Sequence, residues 1–130
     1  MQVDYNSTQN FGMALKVSKA GKEVLTSRIK KDSELDMLSK LVKSQENNPY
    51  GVEIRGASYD SKLEAFIKNS IDESDHTLLH LEENWFSQIF KSPIAFIKRA
   101  CGVADKLNEE KYNPKMSDKI NQVLDAIVED

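Results

Sequence analysis

Apolar and polar positions alternate along part of this chain and recur three and four apart along the rest. Phe11, Met13, Leu15 and Val17 alternate with smaller or polar residues, the period of a strand with one buried face. Ala20-Gly21 breaks that pattern. From Lys22 to Gln45 the apolar positions become Val24, Leu25 and Ile29, then Leu35, Leu38, Leu41 and Val42, one face of a helix. The phase slips between Lys30 and Ser33, where Asp32 or Ser33 can cap a second segment, so one long helix or two shorter ones fit. Asn47-Asn48-Pro49-Tyr50-Gly51 is a stop and turn by composition.

Val52 and Ile54 then alternate with Glu53 and Arg55 up to Gly56, which reads as a strand. Residues 62–71 fit two templates. Leu63, Ala65 and Ile67 alternate as in a strand, while Leu63, Phe66, Ile67 and Ile71 suit a helix that Ser61 to Glu64 would open as a capping box. The flanking strands and short connections favour the strand. After the polar turn Asp72-Glu73-Ser74-Asp75, one strand face takes Thr77, Leu79 and Leu81, and the other Leu78, His80 and Glu82.

The helical period returns with Trp85, Phe86, Ile89 and Phe90. Ser92-Pro93 is a helix start, Ser at the N-cap and Pro at the first helical position. Ile94, Ile97, Cys101, Ala104 and Leu107 follow on one face, with Gly102 expected to weaken the helix or end it early. Beyond Tyr112-Asn113-Pro114, Ser117 caps a last helix with Ile120, Val123, Leu124, Ile127 and Val128 on one side. The spacing therefore predicts a flexible lead-in over 1–10 and a single α+β domain over 11–130. Its order is β-α-β-β-β-α-α, a small antiparallel sheet of about four strands covered on one face by helices.

Composition narrows the chemistry. The 130 residues carry 30% charged and 8% aromatic side chains and a net charge of −3, ordinary for a folded chain and without whole-molecule attraction to nucleic acid or anionic lipid. Cys101 is the sole cysteine, so no intrachain disulfide forms and a reducing, cytoplasmic setting is expected. The first residues show no signal-peptide pattern. No apolar run approaches the roughly 20 residues that span a bilayer. The triplet Asn6-Ser7-Thr8 matches the glycosylation acceptor, with nothing else pointing to secretion.

The chain's two histidines, His76 and His80, are four apart and can share a face, with Glu82 or Glu83 adding an oxygen to a metal site. Zinc needs three or four protein ligands, and no third histidine exists, so exposed imidazoles explain the spacing as well. Cys101 falls on an apolar stripe, where cysteine acts as a small hydrophobe rather than a nucleophile. Asp72, Glu73, Asp75, Glu82 and Glu83 read as a solvated rim, without EF-hand spacing. The glycines at 12, 21, 51, 56 and 102 are too scattered for a phosphate-binding loop. Residues 16–43 hold Lys16, Lys19, Lys22, Arg28, Lys30, Lys31, Lys40 and Lys43, but no interleaved aromatics for base stacking.

These observations favour a small non-catalytic binding or regulatory protein without a cofactor, acting through a protein partner or self-association. Trp85, Phe86 and Phe90, or the face of the last helix, are the expected contacts. A metal-dependent hydrolase using His76, His80 and nearby carboxylates is one alternative. A nucleic-acid-associated protein using the 16–43 basic face is the other.

Overall fold

The computed structural model describes residues 14–56, 61–84, 88, 91–112 and 116–129. In chain order the elements are β1 (Leu15–Val17), α1 (Lys19–Arg28), α2 (Asp32–Gln45), β2 (Tyr50–Gly56), β3 (Leu63–Asn69), β4 (Leu78–Glu82), α3 (Pro93–Tyr112) and α4 (Met116–Ile127). This is an α+β fold in the expected order. The four strands form one sheet, β1-β2-β3-β4. Two neighbouring pairs are antiparallel, but β1 runs parallel to β2, so the sheet is mixed rather than wholly antiparallel. The helical crossover through α1 and α2 returns the chain to the end of the sheet from which β1 began, and a parallel partner results.

Register explains the single covered face. Val52 stands opposite Leu15 and Ile67, and Ile54 opposite Val17 and Ala65, so the period-2 apolar sets of neighbouring strands coincide. They close over Val24 and Leu25 of α1 and over Ile94, Phe96, Ile97, Ala100, Cys101 and Ala104 of α3. Ile54, Leu63, Ala65, Ile67 and Ile97 are fully buried. Each of the leucine and isoleucine side chains among them is worth about 1.5–3 kcal/mol of transfer free energy. Within segment 62–71, Leu63–Asn69 is thus a strand, because its alternation matches a neighbour on both sides.

The helix boundaries depart from the spacing in informative places. α1 starts at Lys19, with the Ser18 hydroxyl accepting from the Gly21 N–H at 3.0 Å, so Ala20-Gly21 lies inside a helix and does not end an element. The slip near Lys30 is a true break between two helices. Neither Asp32 nor Ser33 caps the second; Glu34 reaches back, its carboxylate accepting from the Lys30 and Lys31 N–H groups at 3.0 and 3.1 Å. The other Glu34 oxygen accepts from the Ser92 hydroxyl at 2.6 Å, and these bonds, led by that of Ser92, lower its pKa. Ser92 also caps α3 through the Ile94 N–H. Gly102 does not end α3, which continues ten residues further to Tyr112. Phe11 and Met13 of the expected first strand lie outside the described residues, as do the lead-in 1–10 and Trp85, Phe86 and Phe90. None of the described helices is long and apolar enough to cross a membrane.

Candidate functional site

The described side chains on the sheet face away from α1 and α3 are half-buried or exposed, and the strand alternation decides what stands there. β2 contributes Glu53 and Arg55, β3 contributes Glu64, Phe66 and Lys68, and β4 contributes Leu78, His80 and Glu82. Arg55 pairs with Glu64 and Glu64 with Glu82 in one row across three strands. In the next row Glu53 pairs with Phe66 and Phe66 with His80. The Arg55 guanidinium lies 4.5 Å from the Phe66 ring centre and bonds Glu53 at 2.9 Å. The His80 imidazole stacks on Phe66 with centroids 4.6 Å apart and planes 15° apart. Its Nε2 is 3.1 Å from Glu64 Oε1.

Among the described residues, Glu64, His80 and Glu82 form a group of three metal-type donors, all within 4.8 Å of one another. Spacing along the chain brings out two of these, His80 and Glu82, and pairs them with His76. His76 is not in the group. β4 begins at Leu78, so His76 precedes the strand and the shared face implied by a four-residue spacing does not extend to it. Glu64 escapes a reading by spacing because it is sixteen positions from His80 and joins it only through the β3–β4 register. The signal for it is the outward alternation Glu64, Phe66, Lys68, legible once 62–71 is taken as a strand.

Two polar clusters lie at opposite ends of the sheet, and they correct the expectation of a solvated acidic rim at Glu83 and Asp75, while Glu73 and Glu82 are exposed as expected. At one end Glu83 is 1% exposed and bidentate with Arg28. Glu83 also exchanges backbone and side-chain bonds with Leu63, at 2.9 Å to its carbonyl and 3.2 Å from its N–H. Arg28 donates further to the carbonyls of Ser61, Gln88 and Lys91. One guanidinium thus fastens the end of α1 to the start of β3, the end of β4 and the approach to α3. Arg28 is therefore withdrawn from the basic face on which its neighbours placed it. A small pocket of about 70 Å³ beside this pair is lined by Glu83, Lys91, Ser92, Ala95, Phe96 and Arg99; its one acid is already committed to Arg28.

At the other end Asp75 accepts from the Tyr50 hydroxyl, from the Asn69 amide at 3.1 Å, from Thr77 and from Lys111. The Thr77, Tyr50 and Asn69 donors, those of Thr77 first, hold its carboxyl far below the usual carboxylate range. Asp72 and Asp75 in turn raise the Lys111 pKa, and burial followed by the Asp75 contact raises that of Tyr50. Asn69 also accepts from the backbone N–H groups of Ile71 and Asp72 and donates to the Tyr112 hydroxyl. The arrangement ties the turn before β4 to the last turn of α3. Each charge in it has a fixed partner, which describes a structural lock rather than an acid poised for proton transfer.

Cys101 is 2% exposed, and burial, with Asp105 adding to it, pushes its thiol up to about 12. That is the opposite of an activated nucleophile. A thiol raised in the fold from its ordinary value of 9.0 stabilises the native state in full below pH 9, and this contribution disappears as pH rises toward 12. Two results are expected. Cys101 in the native protein resists a thiol reagent at pH 8 and reacts fully in denaturant. Stability declines above pH 9, less steeply in Cys101→Ala. Rapid native labelling would contradict the buried placement.

The last helix is the other unusual surface. Ile120, Val123, Leu124, Ile127 and Val128, the apolar side expected from the spacing, are exposed by 48–69%, as is Met116 at the helix start, and the described residues leave them in solvent. Trp85, Phe86 and Phe90, the other expected partner contacts, are outside the described residues. In comparisons with known proteins, no family model matches this chain, and neither does a curated protein or a solved structure.

Proposed function

We propose that this chain is a non-catalytic binding or regulatory protein of the cytoplasm, and that it acts by laying α4 into an apolar groove on a partner protein. The observation that carries the reading is the exposed stripe from Met116 to Val128. A twelve-residue helix is marginal in water unless an apolar face is packed, and five large apolar side chains in solvent on this short helix, with Val128 just beyond it, mark an interaction surface. Helix-in-groove recognition uses anchors at this spacing. The lone buried Cys101 suits a reducing compartment.

Charge favours a different protein over a second copy. Residues 116–129 carry Asp118, Asp125 and Glu129 against Lys119. Two copies of α4 would bring like charge together, whereas a groove with a basic rim complements it. The test places a photo-crosslinking residue at Val123 in the full chain within its own cell. A discrete adduct with one other protein is expected, lost when Ile120→Asp and Ile127→Asp are combined, with the thermal midpoint unchanged because both side chains already face solvent. An adduct made of two copies of this chain would overturn the heterologous reading. No adduct, or a large drop in the midpoint, would remove α4 as the contact.

A further inference from the structure

We propose that Glu64, His80 and Glu82 bind a divalent first-row transition ion, with zinc the expected occupant, on the open face of the sheet. This site is separate from α4 and does not depend on the function proposed for that helix. Three features support it. The first is donor geometry. Glu64 Oε1 and His80 Nε2 are 3.1 Å apart, close to the separation of about 3.3 Å between two donors bound to one tetrahedral ion at about 2.0–2.1 Å. Glu82 is exposed at the strand end, and its oxygen lies within 4.8 Å of both.

The second feature is electrostatic. Glu64 and Glu82 are directly opposed across β3 and β4, and like charges in that position destabilise a strand pair. Arg55 is the cross-strand neighbour of Glu64, but its guanidinium is bonded to Glu53 and lies over Phe66, so its attraction to Glu64 is the weaker of the two. The charged side chains on this face, Glu53, Arg55, Glu64, Lys68 and Glu82, sum to −1 with His80 neutral, as three carboxylates, one guanidinium and one ammonium. A divalent cation between Glu64 and Glu82 converts their repulsion into shared attraction.

The third is the support of the imidazole. His80 stacks on Phe66, and Arg55 packs against the same ring, so the imidazole plane is held with Nε2 turned to Glu64. A ligand whose orientation is set before binding loses less freedom on coordination. One nitrogen and two carboxylate oxygens suit zinc better than calcium or magnesium, which take all-oxygen shells. Three protein ligands leave a coordination position open to water or to a donor from another molecule. The position is exposed at the sheet surface, so the site holds or bridges an ion rather than enclosing a substrate.

The test is calorimetric titration of tag-free full-length protein with zinc chloride, followed by the same titration of single variants. One zinc per chain is expected, weakened about tenfold or more by His80→Ala, Glu64→Gln or Glu82→Gln, and unaltered by His76→Ala. The ligand variants sit on the open face, so their far-ultraviolet circular dichroism should match wild type. Should one misfold, the His80 Nε2 resonance of the wild-type protein provides the second readout, moving on zinc addition while the His76 ring resonances stay in place. No stoichiometric binding, or a loss in His76→Ala equal to that in His80→Ala, would overturn the site.

Discussion

Glu83→Ala is expected to lower the free energy of unfolding by about 3–5 kcal/mol, the cost of breaking a buried ion pair from one side. Glu83 is 1% and Arg28 10% exposed at the side chain, so removing the carboxylate leaves a guanidinium enclosed among carbonyls with no counter-charge. The Leu63 N–H also loses its 3.2 Å acceptor on the Glu83 side chain. Four segments distant in sequence meet at this pair, so the loss should appear as a lower urea midpoint for the whole transition rather than as local fraying. Replacing both partners with apolar residues, Arg28→Met with Glu83→Leu, should cost less than Glu83→Ala alone, because no charge is then stranded. A single variant within about 1 kcal/mol of wild type would mean the pair behaves as an ordinary surface bridge.

That pair also shows where local sequence pattern stops being informative. Glu83 ends a run of carboxylates and looks solvated, and Arg28 sits among lysines and looks like part of a basic face. Nothing local to either residue reports a partner 55 positions away. Periodicity reports burial for apolar residues, whose solvent preference is strong, and is silent on a charge buried with its counter-charge. At three places pattern and structure agree. Leu63, Ala65 and Ile67 face inward, Leu78, His80 and Glu82 face outward, and Ser92-Pro93 opens a helix.

The donor group on the open face lies between these cases. Outward placement of His80 and Glu82 is legible in the sequence, and outward placement of Glu64 follows from the same alternation. Which of the three meet depends on register, and register is set jointly by the inward apolar sets of two strands. The parallel pairing of β1 with β2 is likewise beyond local patterning, since strand direction follows from how the intervening α1 and α2 cross the sheet. For α4 the spacing marks the apolar stripe without saying what it meets. The structure leaves that stripe in solvent.

The glycines carry the second large effect, and here the two that were expected to interrupt elements should respond with opposite sign. A Cβ on Gly21 would stand 2.8 Å from the Ile54 carbonyl oxygen and 3.2 Å from Val17 Cγ1. That carbonyl cannot yield freely, because it already accepts from the Ser18 N–H at 2.8 Å. Gly56 faces the same contact from the sheet side, where an added Cβ would fall 2.6 Å from the Ala20 carbonyl oxygen. α1 therefore rests on β2 backbone to backbone, and Val24 and Leu25 reach the core because of that closeness. Gly21→Val must push the helix outward, with an expected loss of about 1–3 kcal/mol or more from overpacking. Gly21→Ala should lose less, since about 0.8–1.0 kcal/mol of helix propensity offsets the collision. Gly102 is exposed within α3, and a Cβ there meets nothing within 4 Å. Gly102→Ala should accordingly stabilise by up to about 1 kcal/mol, and equal midpoints for Gly21→Ala and Gly102→Ala in urea would show that α1 does not need the close approach.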